Sequence, residues 1–242
     1  MISVVVPTLD EESLLPLCLA SLEGQTEHEL IVADGGSRDE TVALAERAAA
    51  RVVCSPRANR GLQMNLGAAQ ARGETLLFLH ADSCLPPGAL AAVEALLSSR
   101  PDVVGGCFTM RLDSRSPLCR LVAWGGDLYH RSRHALFGDR AIFVRRSAFA
   151  TVGGFRELPI MEDADFGRRL RTPHGRPGVR TPRRLVMLRG PVVTSARAFE
   201  QVGALRLLAR ILLACAAHEL GLSPERIAAM YNSPAGRLLA AD

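Results

Sequence analysis

Residues 76–86 read LLFLHADSCLP, and this stretch decides the fold. The apolar run from Leu76 to Leu79 suits a strand covered on both faces, as in a parallel sheet held between helices. It stops at His80, Ala81 and Asp82, so polar side chains stand just past a strand's carboxyl end, where open α/β sheets bind their ligands.

Outward from this strand, apolar runs alternate with helical periodicity. Ile2 to Val6 reads as a strand, and Asp10 precedes the spaced residues Leu14, Leu15, Cys18, Leu19 and Leu22, which predict a helix with Glu11 and Glu12 in its first turn. Leu30 to Ala33 is the next strand. Ser37, with Glu40 three residues on, has capping-box spacing for a helix to about Ala50. Arg51 to Cys54 predicts a strand, Asn59 to Ala71 a helix, Thr75 to Leu79 the strand just quoted, and Pro86 or Pro87 the start of a helix to Ser98. This alternation predicts an α/β fold with a mainly parallel central sheet, right-handed crossovers and flanking helices. Beyond residue 101 the rhythm changes. Val103 to Leu112 reads as a long strand, Pro117 to Tyr129 as a helix, Ala141 to Val144 as a strand, Gly153 and Gly154 as a tight turn, and Glu162 to Leu170 as a helix. Arg197 to Leu220 is amphipathic, and Ser223, Pro224 and Glu225 cap a last helix. Residues 1–242 are therefore expected to form one domain with a C-terminal helical segment from about residue 197.

The 242 residues, 48% hydrophobic and 22% charged, fit a globular chain with a large core. The formal charge is +4, and all 29 basic residues are arginine. With 5% aromatic residues there is no interleaving of cations and rings for stacking bases, so no nucleic-acid partner is expected. Anionic small molecules and membrane surfaces stay open. The six cysteines are scattered, without a CxxC pair, and read as reduced, mostly buried thiols. Met1 leads straight into ISVVVP without a charged leader or cleavage site, so a cytoplasmic location is expected. The most apolar stretch, Gly203 to Ala217, is broken by Arg206 and Arg210 and is shorter than the roughly 20 residues that span a bilayer. It can serve as a core-packing element, a homodimer contact, or a helix lying peripherally on the inner face of the cell membrane.

Three acidic positions follow predicted strands or turns: Asp34 after LIVA, Asp82 after LLFLHA, and Glu162 with Asp163 in LPIMEDADFGRRL. Parallel topology gathers strand ends on one edge, which allows a shared pocket. Asp34 leads into Gly35, Gly36 and Ser37, so the backbone can pass close to a ligand while the next helix offers free N–H groups. A capped turn with nothing bound fits the same residues. Neighbours on a helix diverge by about 100°, so one of Glu162 and Asp163, rather than both, is expected to face a given site. Their plainer service is as N-terminal helix charges near Arg168 and Arg169. No GxGxxG follows the first strand, which continues PTLDEES, and this counts against a dinucleotide-binding fold and a methyltransferase.

PTLDEE, VADGGSRDET, RGLQMNLGAAQARGE, LLFLHADSCLP, GGF and MEDADFGRRL follow in that order over roughly residues 1–200. Together they resemble the inverting family 2 glycosyltransferases, which have the GT-A nucleotide-diphospho-sugar transferase fold. Within that family they are most similar to the small bacterial branch named rSAM/selenodomain-associated transferase 2. The resemblance implies that Pro7, Thr8 and Glu11 line a nucleotide pocket and that Asp34 bonds the base of a nucleotide sugar, a UDP-sugar. Gln63 and Asn65, in a segment with Arg60 and Gly61, are implied to contact the nucleotide; helix capping and exposure to solvent are their alternative. Ala81 and Asp82 belong to the same pocket, with Asp82 matching the last acid of a DxD motif that holds Mn2+ or Mg2+ on the diphosphate. His80 stands where the first aspartate usually does. Neutral imidazole ligates manganese or zinc and suits magnesium poorly; bonding the ribose or filling the strand end are its other readings. Asp163 is implied to be the catalytic base, with Glu162 beside it facing the acceptor. Gly153, Gly154 and Phe155 match the acceptor-side turn, and Arg197, in VVTSAR where relatives carry QxxRW, matches a diphosphate clamp.

The expected chemistry is metal-assisted transfer of a sugar to an unknown acceptor hydroxyl. Two other readings stay open: a nucleotidyltransferase acting on a sugar phosphate, which would release pyrophosphate, and a nucleotide-binding partner protein without turnover.

Overall fold

A computed structural model describes residues 1–133, 136–171 and 184–232. Strand β1 (Ile2–Thr8) is buried along its whole length. It pairs in parallel with β2 (His28–Asp34) on one side and β4 (Thr75–Phe78) on the other, and β2 carries β3 (Arg51–Cys54), also in parallel. Helices α1 (Leu15–Ala20), α2 (Thr41–Arg47) and α3 (Arg60–Gln70) make the crossovers. The sheet continues through β7 (Ile142–Arg145), β6 (Val103–Asp113), β8 (Arg184–Ser195) and the short β5 (Ser83–Cys84), giving the order β3-β2-β1-β4-β7-β6-β8-β5. β6 and β8 are parallel, whereas β7 opposes both β4 and β6, and β5 opposes β8. All strands but β7 and β5 therefore share one direction, and their carboxyl ends meet on one edge. Helices α4 (Ala89–Ser99), α5 (Pro117–Arg133), α6 (Arg146–Thr151), α7 (Glu162–Arg171), α8 (Arg197–Val202), α9 (Ala204–Glu219) and α10 (Pro224–Asn232) complete the described chain.

The LLFL run is buried on both faces, as its unbroken apolar character predicts. Leu77 and Leu79 join Val4, Val6 and Phe143 in the core on one side of the sheet. Leu76 and Phe78 join Val5, Ile31 and Ile142 on the other, as the alternation of a pleated strand requires. Each such fully buried side chain contributes about 1.5–3 kcal/mol.

Several expected boundaries move for local reasons. Glu11 and Glu12 lie in a turn before α1, where Glu11 O accepts from Leu14 and Leu15 N–H. The Ser37–Glu40 capping box does not form: the Ser37 hydroxyl donates to Asp34 Oδ1 at 2.5 Å, and Asp39 Oδ1 accepts the Thr41 N–H where α2 begins. Pro86 and Pro87 precede α4, which starts after Gly88 in the left-handed conformation. The amphipathic stretch from Arg197 is split into α8 and α9 at Gly203, where φ is 91°. The helical segment from about residue 197 is described as far as Asn232; residues 233–242 lie outside the described part.

Candidate functional site

The first part of the site is the paired ends of β1 and β2. Asp34, 2% exposed, accepts the Thr8 hydroxyl at 3.1 Å and the Ser37 hydroxyl through Oδ1, and the N–H groups of Gly36 and Ser37 at 2.8 and 2.9 Å through Oδ2. Its carboxylate thus folds the GGS turn. Gln63 reaches over from α3 and donates from Nε2 to both Thr8 O (2.8 Å) and Ala33 O (2.9 Å), tying the two strand ends together. It is buried, which corrects the alternative of a capping or solvent-facing glutamine. Pro7 is buried within β1. Asn65, two residues on along α3, brackets the main chain of Phe155: Nδ2 donates to Phe155 O and Oδ1 accepts Phe155 N–H, at 2.8 and 2.9 Å. Gly154 has φ +67°, and a Cβ there would lie 2.6 Å from Asn65 Oδ1, so this turn requires glycine. The Phe155 ring packs 4.9 Å from Phe78 and 4.3 Å from Phe166, joining β4 to α7.

The second part surrounds Asp82. Ser195 N–H donates to Asp82 O at 3.0 Å, and the hydroxyls of Ser83 and Thr194 lie 2.9 Å apart, so the end of β8 docks against the segment after β4, with Ala81 buried beneath. Arg197, just past β8, places one Nη2 2.9 and 3.0 Å from the two carboxylate oxygens of Glu11. Glu11, Asp82 and Arg197, far apart in sequence, therefore come together. Burial pushes the Asp82 carboxyl up, against the opposing pull of the Ser83 hydroxyl, Arg197 and Arg60. Thr194 also donates to Asp139 O at 2.9 Å. Asp139 is pushed up by burial and further by Asp82, and its Oδ1 has no hydrogen-bond partner among the described residues. Sequence reasoning missed this acid, which sits in FGDRA without any periodic or motif signal.

The third part is the start of α7. Met161, with φ 64°, turns the chain into the helix. Asp163 Oδ2 accepts Gly138 N–H at 2.7 Å, and Glu162 lies 3.2 Å from Arg60 Nη1. Burial pushes both carboxyls up, and Asp163 pushes Glu162 further. Glu162 and Asp163 stand in the first turn of α7, as their plainer reading expects, whereas Arg168 and Arg169 are held by Asp165, which sequence reasoning passed over. It is 2% exposed and receives Arg169 Nε at 2.7 Å, Arg168 at 3.2 Å and Arg156 at 3.4 Å. Its spacing of three and four residues from Arg168 and Arg169 was the available signal.

Gly138 links the second and third parts. Its N–H holds Asp163, while a Cβ on it would collide with His80 Nε2, a buried nitrogen without a hydrogen-bond partner among the described residues. Burial, with the charge of Arg60, pushes the His80 imidazole down to about 3, so the ring is neutral and packs against the Gly138 backbone. Arg60 is the cation common to the edge: its charge acts on His80, Asp82, Asp139, Glu162 and Asp163. Among the described residues, no three His, Cys, Asp or Glu side chains gather as a ligand cluster for a metal.

A largely parallel sheet, a tied β1–β2 edge and an acid-rich strand end facing an acidic helix start define the GT-A class of nucleotide-diphospho-sugar transferases. Residues 3–148 match the family described as Glycosyl transferase family 2, and the chain belongs to that family. It is 34% identical over 183 residues to a "PGL/p-HBAD biosynthesis glycosyltransferase" of Mycobacterium bovis, covering 70% of this chain and 69% of the relative. Among solved structures it is similar to the mannosyltransferase PcManGT from Pyrobaculum calidifontis in complex with GDP-Man and Mn2+, with a TM-score of 0.66 and 19% identity over 99% of this chain and 72% of that one. It is also similar to S. aureus TarS 1-349 in complex with UDP-GlcNAc, with a TM-score of 0.62 and 21% identity over 80% of this chain and 58% of that one. This chain spans 39% of the longer TarS chain. At these identities the structural likeness shows the fold.

Proposed function

We propose that this glycosyltransferase moves a sugar from a nucleoside-diphosphate sugar, a UDP-sugar, to an acceptor hydroxyl with inversion, and that Asp163 is the base. The observation that carries this reading is the Asp163 carboxylate, fixed by the Gly138 N–H and raised by burial at the edge where Asp82, Asp139 and Arg60 also lie. Direct displacement needs a carboxylate to take the acceptor proton as oxygen attacks the anomeric carbon, and a carboxyl raised toward neutrality takes that proton more readily. The Gly138 N–H orients it, Glu162 stands beside it toward the acceptor, and Arg60 and Arg197 supply positive charge for the departing diphosphate. Thr8, Asp34 and Gln63 shape the wall against which the nucleotide lies. The motif set PTLDEE, VADGGS and HADSCLP supports placing the chain in the rSAM/selenodomain-associated branch.

The chemistry of the edge fits a divalent cation. Asp82 and Asp139 are half-buried carboxylates, Asp139 lies in the field of Asp82, and Asp139 Oδ1 has no hydrogen-bond partner among the described residues, which suits Mn2+ or Mg2+ better than the His80 nitrogen turned onto Gly138. Asp82 is the residue that would hold the ion, with diphosphate oxygens completing its shell. When bound, the cation offsets negative charge on the leaving group. PcManGT is described with GDP-Man and Mn2+, and the Mycobacterium tuberculosis glucosyl-3-phosphoglycerate synthase with Mn2+ and UDP, which supports the same donor class here.

The test is a panel of UDP- and GDP-sugars with Mn2+ or Mg2+, read by product mass. A nucleoside diphosphate as product is the expected outcome. Pyrophosphate would make the protein a nucleotidyltransferase, and UDP binding without turnover of any donor would make it a binding protein.

A further inference from the structure

The outer face of the α5–α9 pair carries large apolar side chains left exposed among the described residues. The two helices lie side by side. Cys119 and Ala123 of α5 share an inner cluster with Leu207 of α9, and the Tyr129 hydroxyl donates to Glu219 at 2.7 Å near the far end. Opposite this packed side, α5 presents Leu121, Trp124 and Leu128, exposed by 55%, 63% and 52%. Their spacing of three, four and seven residues puts them on one line. The outward face of α9 presents Leu205 and Leu212 a heptad apart, with Leu213 and Leu220 beside them, exposed by 71%, 60%, 40% and 79%. Exposed apolar surface concentrated in this way marks a binding face.

The charges around it choose the occupant. Arg120 and Arg131 are exposed along α5, Arg115 is exposed just before it, and Arg206 is exposed along α9. The acids of the two helices are engaged within the fold, Asp127 by the buried Arg140 and Glu219 by Tyr129. A second copy packed face to face would set arginine against arginine, as a two-fold contact repeats the same patch on both sides. An anionic bilayer matches both features: leucines and a tryptophan enter the acyl boundary while guanidinium groups meet phosphate headgroups.

We propose that the outer face of α5 and α9 docks on anionic phospholipid membranes. The inner face of α9 carries Ala214 and Ala217 against Ala164 of α7 and Met161 just before it, so the docked layer lies directly behind the helix that bears Asp163. The proposal stands independently of the donor and base assignments.

Trp124 is the only tryptophan in the chain, so it reports its own surroundings. The full chain is mixed with vesicles of phosphatidylcholine alone or with phosphatidylglycerol added, and followed by co-sedimentation and by tryptophan emission with brominated acyl chains as quencher. The expected result is sedimentation with the phosphatidylglycerol vesicles, blue-shifted and quenched emission, and weakening by added salt. The double variant Leu128→Glu, Leu212→Glu, with unchanged circular dichroism and thermal unfolding, is expected to partition about tenfold less or weaker. The variant Arg120→Gln, Arg131→Gln keeps the apolar face and is expected to lose the preference for phosphatidylglycerol. A chain that stays in the supernatant with solvent-like emission overturns the proposal. So does a concentration-dependent doubling of mass that buries Trp124 without lipid, which would make the face a contact between copies.

Discussion

At Asp163 the chemistry and the stability of the fold pull in opposite directions. Burial raises its carboxyl, so the folded protein holds the proton more tightly than the unfolded chain does. Stability from this group is therefore complete below the ordinary aspartate range and declines as pH rises through the raised value. Asp163→Asn keeps an oxygen for the Gly138 N–H and removes the buried charge. Turnover should fall by about 10²–10⁴-fold, while the thermal midpoint at neutral pH rises and the difference from wild type closes in acid. A scan of unfolding temperature against pH, beside the transfer assay, checks both halves; an unchanged rate would remove Asp163 from the base role. Arg60 works on the same equilibrium from the other side. Its charge favours ionised Asp163 and Glu162, so Arg60→Met should lift both carboxyls further and move the acid limb of kcat/KM to higher pH. A limb that stays in place would show that Arg60 does not act on the base.

At the scale of the element, α7 is held by an ion-pair knot built on one carboxylate. Burial raises Asp165, and bonds from Arg169 and Arg168 more than reverse that, leaving it below the ordinary aspartate range. Its stabilisation is present above that range and is lost as pH falls through the lowered value. Asp165→Asn should cost about 2–3 kcal/mol, less than an enclosed pair would, because Arg156 and Arg168 are largely in water. Urea unfolding at neutral pH checks the magnitude, and a variant whose stability no longer falls so steeply in acid checks the sign. This knot shows where the sequence could be read and where it could not. The periodicity of MEDADFGRRL announced the helix and its acidic start, but three acids within four residues leave open which one meets the arginines. Contacts with α3 and with the chain around Phe137 and Gly138 decide that, and no local pattern encodes them. The Ser37–Glu40 spacing failed for a related reason: the nearby Asp34 carboxylate claims the Ser37 hydroxyl before the helix can.

At the scale of the molecule, the alternation of strand and helix was legible because a strand buried on both faces leaves a continuous apolar run, as in SVVV, LIVA and LLFL. Direction was not. IFVR of β7 reads as apolar as its neighbours although it runs against β4 and β6, since an apolar run carries no sense of direction. Asp34, Asp82 and Glu162–Asp163 were legible as acids at strand or turn ends, whereas Asp139 was not, because it becomes part of the edge only when Thr194 at the end of β8 binds its carbonyl. The edge is thus assembled from β1, β2, β4, β8 and α7, elements contributed by both halves of the chain. A ligand bound across such an edge stabilises the whole fold against global unfolding rather than one loop. UDP at about a hundredfold over its Kd should add about 2.7 kcal/mol, or roughly 5–10 °C in the thermal midpoint for a domain of this size. Mn2+ should increase that shift with UDP and do little alone, because the diphosphate completes its shell. In Asp82→Asn the UDP shift should survive and the Mn2+ increment should vanish. Calorimetry on both proteins, with and without each ligand, separates the two contributions. An Mn2+ increment that persists in Asp82→Asn would move the cation to other ligands, and the absence of any UDP shift in the wild-type chain would take the nucleotide away from this edge.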